Sequence, residues 1–170
     1  MDKVKIFDSS KIIGIENIEF GENIIIDDFV FIYAKKKIKI GNYVHIGCFS
    51  SIAGGEELIM GDFSGLSHGC RIFTGSEDFS GHGFGNPTLP EEFRNVHRAP
   101  VHIGRFAVIG ANSVILPGTT VGEGATVAAN SVVTKDLEPW GVYAGNRRMS
   151  YRDKEGVLEN YERFLKSANQ

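Results

Sequence analysis

Aliphatic, β-branched residues recur at every sixth position between residues 103 and 133 of this 170-residue chain. The series is Ile103, Ile109, Ile115, Val121, Val127 and Val133. Each of the first five is followed four positions later by a small residue: Ala107, Ser113, Thr119, Ala125 and Ser131. An α-helix repeats at about 3.6 residues and a single strand at about 2, so a period of six fits neither. It predicts a solenoid in which three six-residue sides close one coil, and in which both residues of each pair point inward.

The same period recurs upstream in three longer coils. Their inward residues are Phe20, Ile26 and Ile32, then Ile40, Ile46 and Ile52, then Met60, Leu66 and Ile72. Each trio begins twenty residues after the previous one, so two extra residues per coil fall near Lys36–Lys37 and Glu56–Glu57, where an exposed corner accommodates them. We therefore predict a mainly β fold in a single domain over residues 1–170, with stacked parallel coils over residues 12–138.

Two segments depart from the period. Residues 75–100 are rich in proline and glycine and predict a loop extruded from one corner; loops of this length are usually functional or disordered. Near the end of the chain, apolar residues fall on one helical face: Val157, Leu158, Tyr161, Phe164 and Leu165. Their spacing predicts a helix over residues 153–168, which we expect to cap an open end of the solenoid.

Charge and composition exclude several functional classes. The net charge is −3 and no basic run exceeds Lys35-Lys36-Lys37, so a nucleic-acid partner is not expected. The sequence shows neither a signal-peptide pattern nor an apolar run of transmembrane length, so no membrane partner is expected. Two cysteines, Cys48 and Cys70, suggest a reducing compartment, and Cys70 falls at an inward position. A cytoplasmic location is the resulting expectation.

Specific motifs within the repeat carry a family resemblance. They are Ile109-Gly-Ala-Asn-Ser-Val-Ile-Leu-Pro-Gly-Thr-Thr-Val-Gly122, Ser131-Val-Val-Thr-Lys-Asp136 and Ala144-Gly-Asn146. The chain resembles the hexapeptide-repeat acyltransferases, in the branch that acetylates sugars, polysaccharide precursors and some antibiotics. The resemblance implies a left-handed parallel β-helix and a homotrimer with three active sites, each between two neighbouring prisms.

The resemblance also implies acetyl-CoA as co-substrate, lying along the groove between two prisms. The matching positions imply cofactor contacts from Gly110, Ala111, Ala128, Ala129, Ser131, Lys135, Arg147 and Arg148. Small residues let pantetheine approach the main chain, and arginine forks suit phosphates. Corners need small residues in any case and exposed arginines are common, so structural alternatives stay open. Relatives usually continue with Pro-Ala-Lys where this chain has Arg147-Arg148-Met149, so the resemblance does not extend to this part of the site for the cofactor tail.

Acyl transfer to a hydroxyl or amine needs a base, usually a histidine. Many relatives read Gly-Ser-His-Asp where this chain reads Gly75-Ser-Glu-Asp78, so the usual histidine position holds Glu77. His82, five residues further along the loop, is the first candidate for the base, and His68 is the second. Glu77 and Asp78 are further catalytic candidates, either as a carboxylate base or as groups that orient a histidine.

These observations predict an acetyl-CoA-dependent acetyltransferase that acts on a sugar or nucleotide-sugar hydroxyl or amine in polysaccharide precursor metabolism. Acceptor-binding candidates in the loop are Asn86, Phe84 and Phe79, because amides hydrogen-bond sugars and aromatic rings stack on them. The sequence does not distinguish O- from N-acetylation.

Two alternatives from other classes remain. His68-Gly69-Cys70 is similar to one end of the metal motif of the γ-class carbonic anhydrases, but the position five residues earlier is Phe63, so no metal is expected. A non-catalytic β-solenoid binding protein is the other alternative, and it predicts no binding of CoA.

Overall fold

The protein forms a parallel β-helix with one C-terminal α-helix. The structure, a computed structural model, describes residues 4–168. In chain order its strands are β1 (Val4–Ile6), β2 (Lys11–Ile13), β3 (Ile18–Phe20), β4 (Ile24–Ile26), β5 (Phe31–Tyr33), β6 (Ile38–Ile40), β7 (His45–Ile46), β8 (Ser51–Ala53), β9 (Leu58–Met60), β10 (Gly65–Leu66), β11 (Arg71–Phe73), β12 (Gly75–Ser76), β13 (His97–Arg98), β14 (Val101–Ile103), β15 (Val108–Ile109), β16 (Val114–Ile115), β17 (Thr120–Val121), β18 (Thr126–Val127), β19 (Val132–Val133), β20 (Gly141–Ala144) and β21 (Arg147–Tyr151). The helix α1 spans Lys154–Ala168, and two short 3₁₀ turns span Ile15–Asn17 and Glu91–Phe93.

Three sheets make the three faces of the prism. The first face is β1-β4-β7-β10-β15-β18-β20, extended by the antiparallel strand β21; the second is β2-β5-β8-β11-β16-β19; the third is β3-β6-β9-β14-β17. We call the turns from third to first face the first corner, from first to second the second corner, and from second to third the third corner. Strands also lie outside the predicted range 12–138, since β1 pairs with β4 and β20 with β18.

The inward pattern predicted from the period is confirmed. All six aliphatic residues of the series from 103 to 133 are buried, as are the five small residues between them. On the first face Ile26, Ile46, Leu66, Ile109 and Val127 occupy one register and form a continuous column. Each coil therefore buries its aliphatic side chains against those of the coils above and below it.

The glycine at the start of many repeats is explained by the stacking of the coils. A Cβ placed on Gly110 would lie 2.5 Å from the amide nitrogen of Ala129, and one on Gly122 would lie 2.5 Å from the nitrogen of Pro139. Real Cβ atoms do not approach backbone so closely, so any larger residue would push the next coil away.

Aromatic residues occupy the first corner in a left-handed backbone conformation that such side chains rarely adopt. Tyr43, Phe63, Phe106 and Trp140 all have φ between 57° and 60°. Their rings form a ladder, with centroids 4.8 Å apart for Tyr43 and Phe63, 5.4 Å for Phe63 and Phe106, and 6.3 Å for Phe106 and Trp140. Ring contacts between coils offset the strain of the turn.

The helix α1 packs along this aromatic ladder, whereas we expected it to cap an open end. Phe164 meets the rings of Tyr43 and Phe63 edge-on, and Tyr161 meets those of Phe63 and Phe106. The helix thus begins beside the last coils and runs back along the first corner, because the ladder supplies an apolar stripe that matches its own. No helix in residues 4–168 is long and apolar enough to cross a membrane.

The predicted loop leaves the prism at the third corner, between β11 and β14. Its two ends pair as the antiparallel strands β12 and β13. Above this base, Glu77 forms an ion pair with Arg94, and both side chains are mostly buried. The loop is therefore anchored at its root by backbone and side-chain contacts.

Candidate active site

The second corner carries a column of four residues, one from each of four successive coils: Cys48, His68, Ala111 and Ala129. Backbone hydrogen bonds fix their order along the stack. The amide of Gly69 donates to the carbonyl of Cys48 (2.8 Å), that of Asn112 to His68 (2.9 Å), and that of Asn130 to Ala111 (2.8 Å). We call these four residues the second-corner column. It brings two predicted cofactor residues into line with one predicted catalytic residue.

The backbone of this column offers hydrogen-bond donors. The backbone amides of His68, Ala111 and Ala129 have no hydrogen-bond acceptor within residues 4–168. The amide of the next residue along the chain does donate a hydrogen bond in each case. At the equivalent place in the first corner, the amides of Glu22 and Asn42 are bonded by side chains of the next coil. The alanines have no side chain for this purpose. The column therefore presents a row of unpaired N–H groups about 4.8 Å apart, suited to the amides and carbonyls of an extended ligand.

Cys48 and His68 are in direct contact at the head of the column. The sulfur of Cys48 lies 2.9 Å from Nδ1 of His68, and the imidazole is exposed. Nothing in the sequence analysis assigned a role to Cys48. A signal was present, since Cys48 follows Ile46 by two positions as His68 follows Leu66, in coils twenty residues apart. Equal offsets in adjacent coils place two side chains side by side.

The other predicted cofactor residues divide into exposed and structural groups. Ala128 is exposed beside Ala129. Ser131 instead points inward: it is 5% exposed and its hydroxyl accepts a hydrogen bond from the amide of Gly145 (3.0 Å). The inward position of the repeat takes this side chain into the core, and the cofactor contact of Ser131 stays a prediction. Gly110 has the stacking role described above.

The basic residues near the end of the chain also differ from one another. Lys135 and Arg147 are exposed, and Arg148 pairs with Glu138 while lying 4.5 Å above the ring of Tyr151. Arg152, four residues after Arg148, instead donates to the carbonyl of Phe106 (2.7 Å) beneath α1. Burial lowers the pKa of this guanidinium. Arg152 thus ties the start of α1 to the first corner, where it also donates to the carbonyl of Gly124 (3.2 Å).

In the loop, the two carboxylates predicted as catalytic candidates are engaged in structural contacts. Glu77 is held by Arg94, and this bond raises the pKa of the arginine. Asp78 accepts hydrogen bonds from the hydroxyl and amide of Ser80 and from the amides of His82 (2.6 Å) and Gly83 (3.0 Å). The Ser80 hydroxyl first, and then the amides, hold the pKa of Asp78 well below its usual range. Both carboxylates organise the loop.

Asp78 is also the start of a relay that orients His82. The hydroxyl of Ser80 contacts both Asp78 and Nδ1 of His82, the latter at 2.6 Å. Since the hydroxyl has one proton and Asp78 is ionised, Ser80 donates to Asp78 and accepts from Nδ1–H. In a neutral ring this arrangement leaves the lone pair on Nε2 of His82.

The loop brings His82 together with one predicted acceptor residue but not with the other two. His82 and Phe84 line a shallow pocket with Phe93. Phe79, 93% exposed, borders a separate apolar pocket with Phe73 and Leu116 at the root of the loop. The side-chain oxygen of Asn86 accepts bonds from the amide and hydroxyl of Thr88, which makes it a turn residue.

Within one chain, the second-corner column and the extruded loop are separate. The second-corner column and the loop lie at opposite edges of the second face, and no hydrogen bond, ion pair or ring contact described for residues 77–96 reaches the column. Across residues 4–168, no group of three His, Cys, Asp or Glu residues is arranged to hold a metal ion.

Comparison with known proteins decides the family. The family model described as bacterial transferase hexapeptide (six repeats) matches residues 100–135. The dTDP-4-amino-4,6-dideoxy-D-glucose acyltransferase of Escherichia coli is 38% identical over 170 residues, which cover 98% of this chain and 88% of the relative. The chain belongs to the hexapeptide-repeat acyltransferases. The predicted family and enzyme class are thereby confirmed.

Solved hexapeptide-repeat acyltransferases share the whole fold. AntD, an N-acyltransferase from Bacillus cereus, in complex with dTDP and 3-hydroxybutyryl-CoA, superposes with a TM-score of 0.93 at 34% identity, covering 99% of this chain and 89% of AntD. A variant of AntD in complex with dTDP-4-amino-4,6-dideoxyglucose and coenzyme A gives 0.92 at 33% identity, covering 97% and 88%. The predicted β-solenoid fold is therefore confirmed over its full length.

Proposed function

We propose that this acyltransferase transfers the acyl group of an acyl-CoA to the amine of a nucleotide-linked 4-amino-4,6-dideoxy sugar. The observation that carries the proposal is the second-corner column, where unpaired amides lead to an exposed imidazole. The E. coli relative and AntD support the acceptor class, since the E. coli enzyme is named for dTDP-4-amino-4,6-dideoxy-D-glucose and AntD binds that sugar nucleotide. Acetyl-CoA is the simplest donor, and the 3-hydroxybutyryl-CoA of AntD marks a longer alternative.

In the proposed complex the pantetheine arm lies over Ala129 and Ala111, with its thioester next to His68. The acceptor is the neutral amine. Its lone pair attacks the thioester carbon, so a C–N bond forms and the carbonyl oxygen becomes an oxyanion, which a free amide of the column can bind. Nε2 of His68 takes the proton from nitrogen, the C–S bond breaks, and the CoA sulfur leaves as a thiol after protonation.

In this proposal, each active site combines the column of one copy with His82 and the loop of a neighbouring copy. A site that needs both the column and the loop is incomplete in one chain, because they lie at opposite edges of the second face. A homotrimer in which the loop of one copy reaches the column of the next supplies both. Phe84, in the pocket beside His82, then lies on the acceptor side, while Lys135, Arg147 and Arg148 lie towards the phosphates of CoA.

The proposed setting is the cytoplasm and the synthesis of polysaccharide precursors. Two unpaired cysteines, Cys48 and Cys70, fit a reducing compartment. A relative at 31% identity over 133 residues, covering 76% of this chain and 65% of that protein, is the putative lipopolysaccharide biosynthesis O-acetyl transferase WbbJ of E. coli.

The direct test is the mass of the acceptor after incubation with the purified protein. We expect dTDP-4-amino-4,6-dideoxyglucose to gain one acyl group from acetyl-CoA or from 3-hydroxybutyryl-CoA. The matched acceptor carries a hydroxyl in place of the amine and is expected to remain unchanged. Absence of acylated product with both donors, from protein that unfolds cooperatively, would refute the proposal; acylation of the hydroxyl sugar alone would replace the amine with an alcohol acceptor.

A further inference from the structure

The contact between Cys48 and His68 determines which nitrogen of the imidazole can accept a proton in the proposed reaction. Nδ1 is occupied by the sulfur at 2.9 Å, and Nε2 has no hydrogen-bond partner among residues 4–168. Only Nε2 is therefore free to face a ligand that lies along the second-corner column. For Nε2 to accept a proton, the single ring proton of neutral His68 must stay on Nδ1.

From this geometry we infer that Cys48 is a positioning residue, whose sulfur accepts the Nδ1–H bond of His68 and holds Nε2 ready as the base. The inference rests on the proposed function and adds a residue to its mechanism. A sulfur is a weak acceptor for a neutral donor. When Nε2 takes the proton of the substrate amine, the ring becomes a cation and its bond to sulfur strengthens. Cys48 thus has the role that a carboxylate has in a Ser-His-Asp triad.

The position of the pair supports this role over simple packing. Cys48 lies one coil beyond His68, on the side away from Ala111 and Ala129, so it supports the imidazole from behind. Cys48 is half-buried, whereas the imidazole in front of it is exposed. A nucleophilic role for the thiol is less suited to this order, since His68 stands between the sulfur and the alanines.

Three substitutions of Cys48 test the inference through turnover. We expect Cys48→Ala to lower kcat about 10- to 100-fold, the loss that follows removal of a group orienting a metal-bound histidine, with KM for acyl-CoA unchanged. Cys48→Ser and Cys48→Asp restore an acceptor for Nδ1–H and should recover activity relative to Cys48→Ala. The carboxylate of Cys48→Asp also favours the protonated ring, so the acidic limb of the kcat profile should move to higher pH. Cys70→Ala, which removes the buried thiol, is the control and should leave kcat unchanged.

A second readout is independent of any acceptor. Nitrogen NMR of the histidine-labelled full-length protein at neutral pH, assigned with His68→Ala, reports which ring nitrogen carries the proton. We expect the Nδ1–H form of His68 in the unsubstituted protein and a shift towards the Nε2–H form in Cys48→Ala. An Nε2–H form in the unsubstituted protein would overturn the inference even if the acyltransferase assay failed. An acyl group on Cys48 after incubation with acyl-CoA alone, seen by intact mass, would overturn it in favour of a nucleophilic thiol.

Discussion

Gly124 allows the first corner to close over an indole ring. Its φ is +66°, and an added Cβ would overlap the ring of Trp140. We expect Gly124→Ala to destabilise the protein through both the left-handed backbone and this collision, which together are worth about 2–5 kcal/mol. The midpoint of chemical denaturation measures the loss.

Gly118 supplies the matched control for that substitution. It has a φ of +78°, but its added Cβ would meet only the methyl group of Ala99, at 3.4 Å. Gly118→Ala should therefore show the backbone cost alone, about 1–2 kcal/mol. Equal losses in the two variants would mean that the ring of Trp140 moves aside freely.

Individual inward residues could be predicted from the sequence because the period assigns them directly. The same period explains why the side chain of Ser131 is buried, since a residue four positions after an aliphatic one faces the core. The pair of Cys48 and His68 was harder to predict. Their contact depends on the side-chain geometry of two adjacent turns, which the spacing of twenty residues indicates only as proximity.

At the scale of elements, the extruded loop depends on one ionised carboxylate. Asp78 binds the amides of His82 and Gly83, and its pKa in the folded protein is lowered by these bonds and by the Ser80 hydroxyl. A lowered folded pKa means that the contribution to loop order is complete above the unfolded value of about 3.9 and is lost as the pH falls below it. We expect Asp78→Asn to speed hydrogen exchange of both amides at pH 7.

The pH dependence gives this prediction its control. The difference in exchange between the unsubstituted protein and Asp78→Asn should shrink progressively as the pH is lowered below about 4. The amides of β14, in the prism, should exchange alike in both proteins. A difference that is the same at pH 7 and at strongly acidic pH would show that the charge of Asp78 does not order the loop.

The helix α1 depends on the aromatic ladder of the first corner. Phe164 lies 5.0 Å from the ring of Tyr43 and 5.7 Å from that of Phe63, edge-on in both cases. Since Phe164 is only partly buried, we expect Phe164→Ala to lower the free energy of unfolding by about 2 kcal/mol. The neighbouring Leu165 is 41% exposed, so Leu165→Ala should lower it by about 0.5 kcal/mol or less. Similar losses in thermal or chemical unfolding would place the helix elsewhere.

The existence of α1 followed from its periodicity, but its position did not. A helical face shows that an apolar partner exists without saying which surface provides it. The sequence does contain a sign of the aromatic ladder that α1 packs against, because Tyr43, Phe63 and Phe106 each precede an inward aliphatic residue by three positions. The left-handed turn that turns these rings outward is visible only in three dimensions.

At the scale of the whole molecule, each proposed site combines residues from two copies of the chain. His68→Ala damages the column and Asp78→Asn damages the loop. If the two lie in different halves of a shared site, copies of both variants that are unfolded and refolded together should regain about a quarter of the activity, because one site in four receives two intact halves. The activity of the separate and mixed samples is measured from the mass of the acylated acceptor.

Failure of the mixed sample to exceed the separate ones, with exchange of subunits shown by mass, would show that the loop of a neighbouring copy does not complete the site at the column. The predicted trimer could not be obtained from composition or period. Both describe the interior of one prism, whereas assembly depends on the outward side chains, which the repeat leaves unconstrained.

The proposed function is tested most directly by measuring whether CoA binds along the second-corner column. We would measure the stability of the protein with and without acetyl-CoA for Ala129→Trp and for Glu123→Trp, which places the same ring at the equivalent exposed position of the first corner. Ligand at about 100 times its dissociation constant should stabilise the unsubstituted protein and Glu123→Trp by about 2.7 kcal/mol. We expect no stabilisation of Ala129→Trp, and full stabilisation of that variant would show that CoA does not lie along the column.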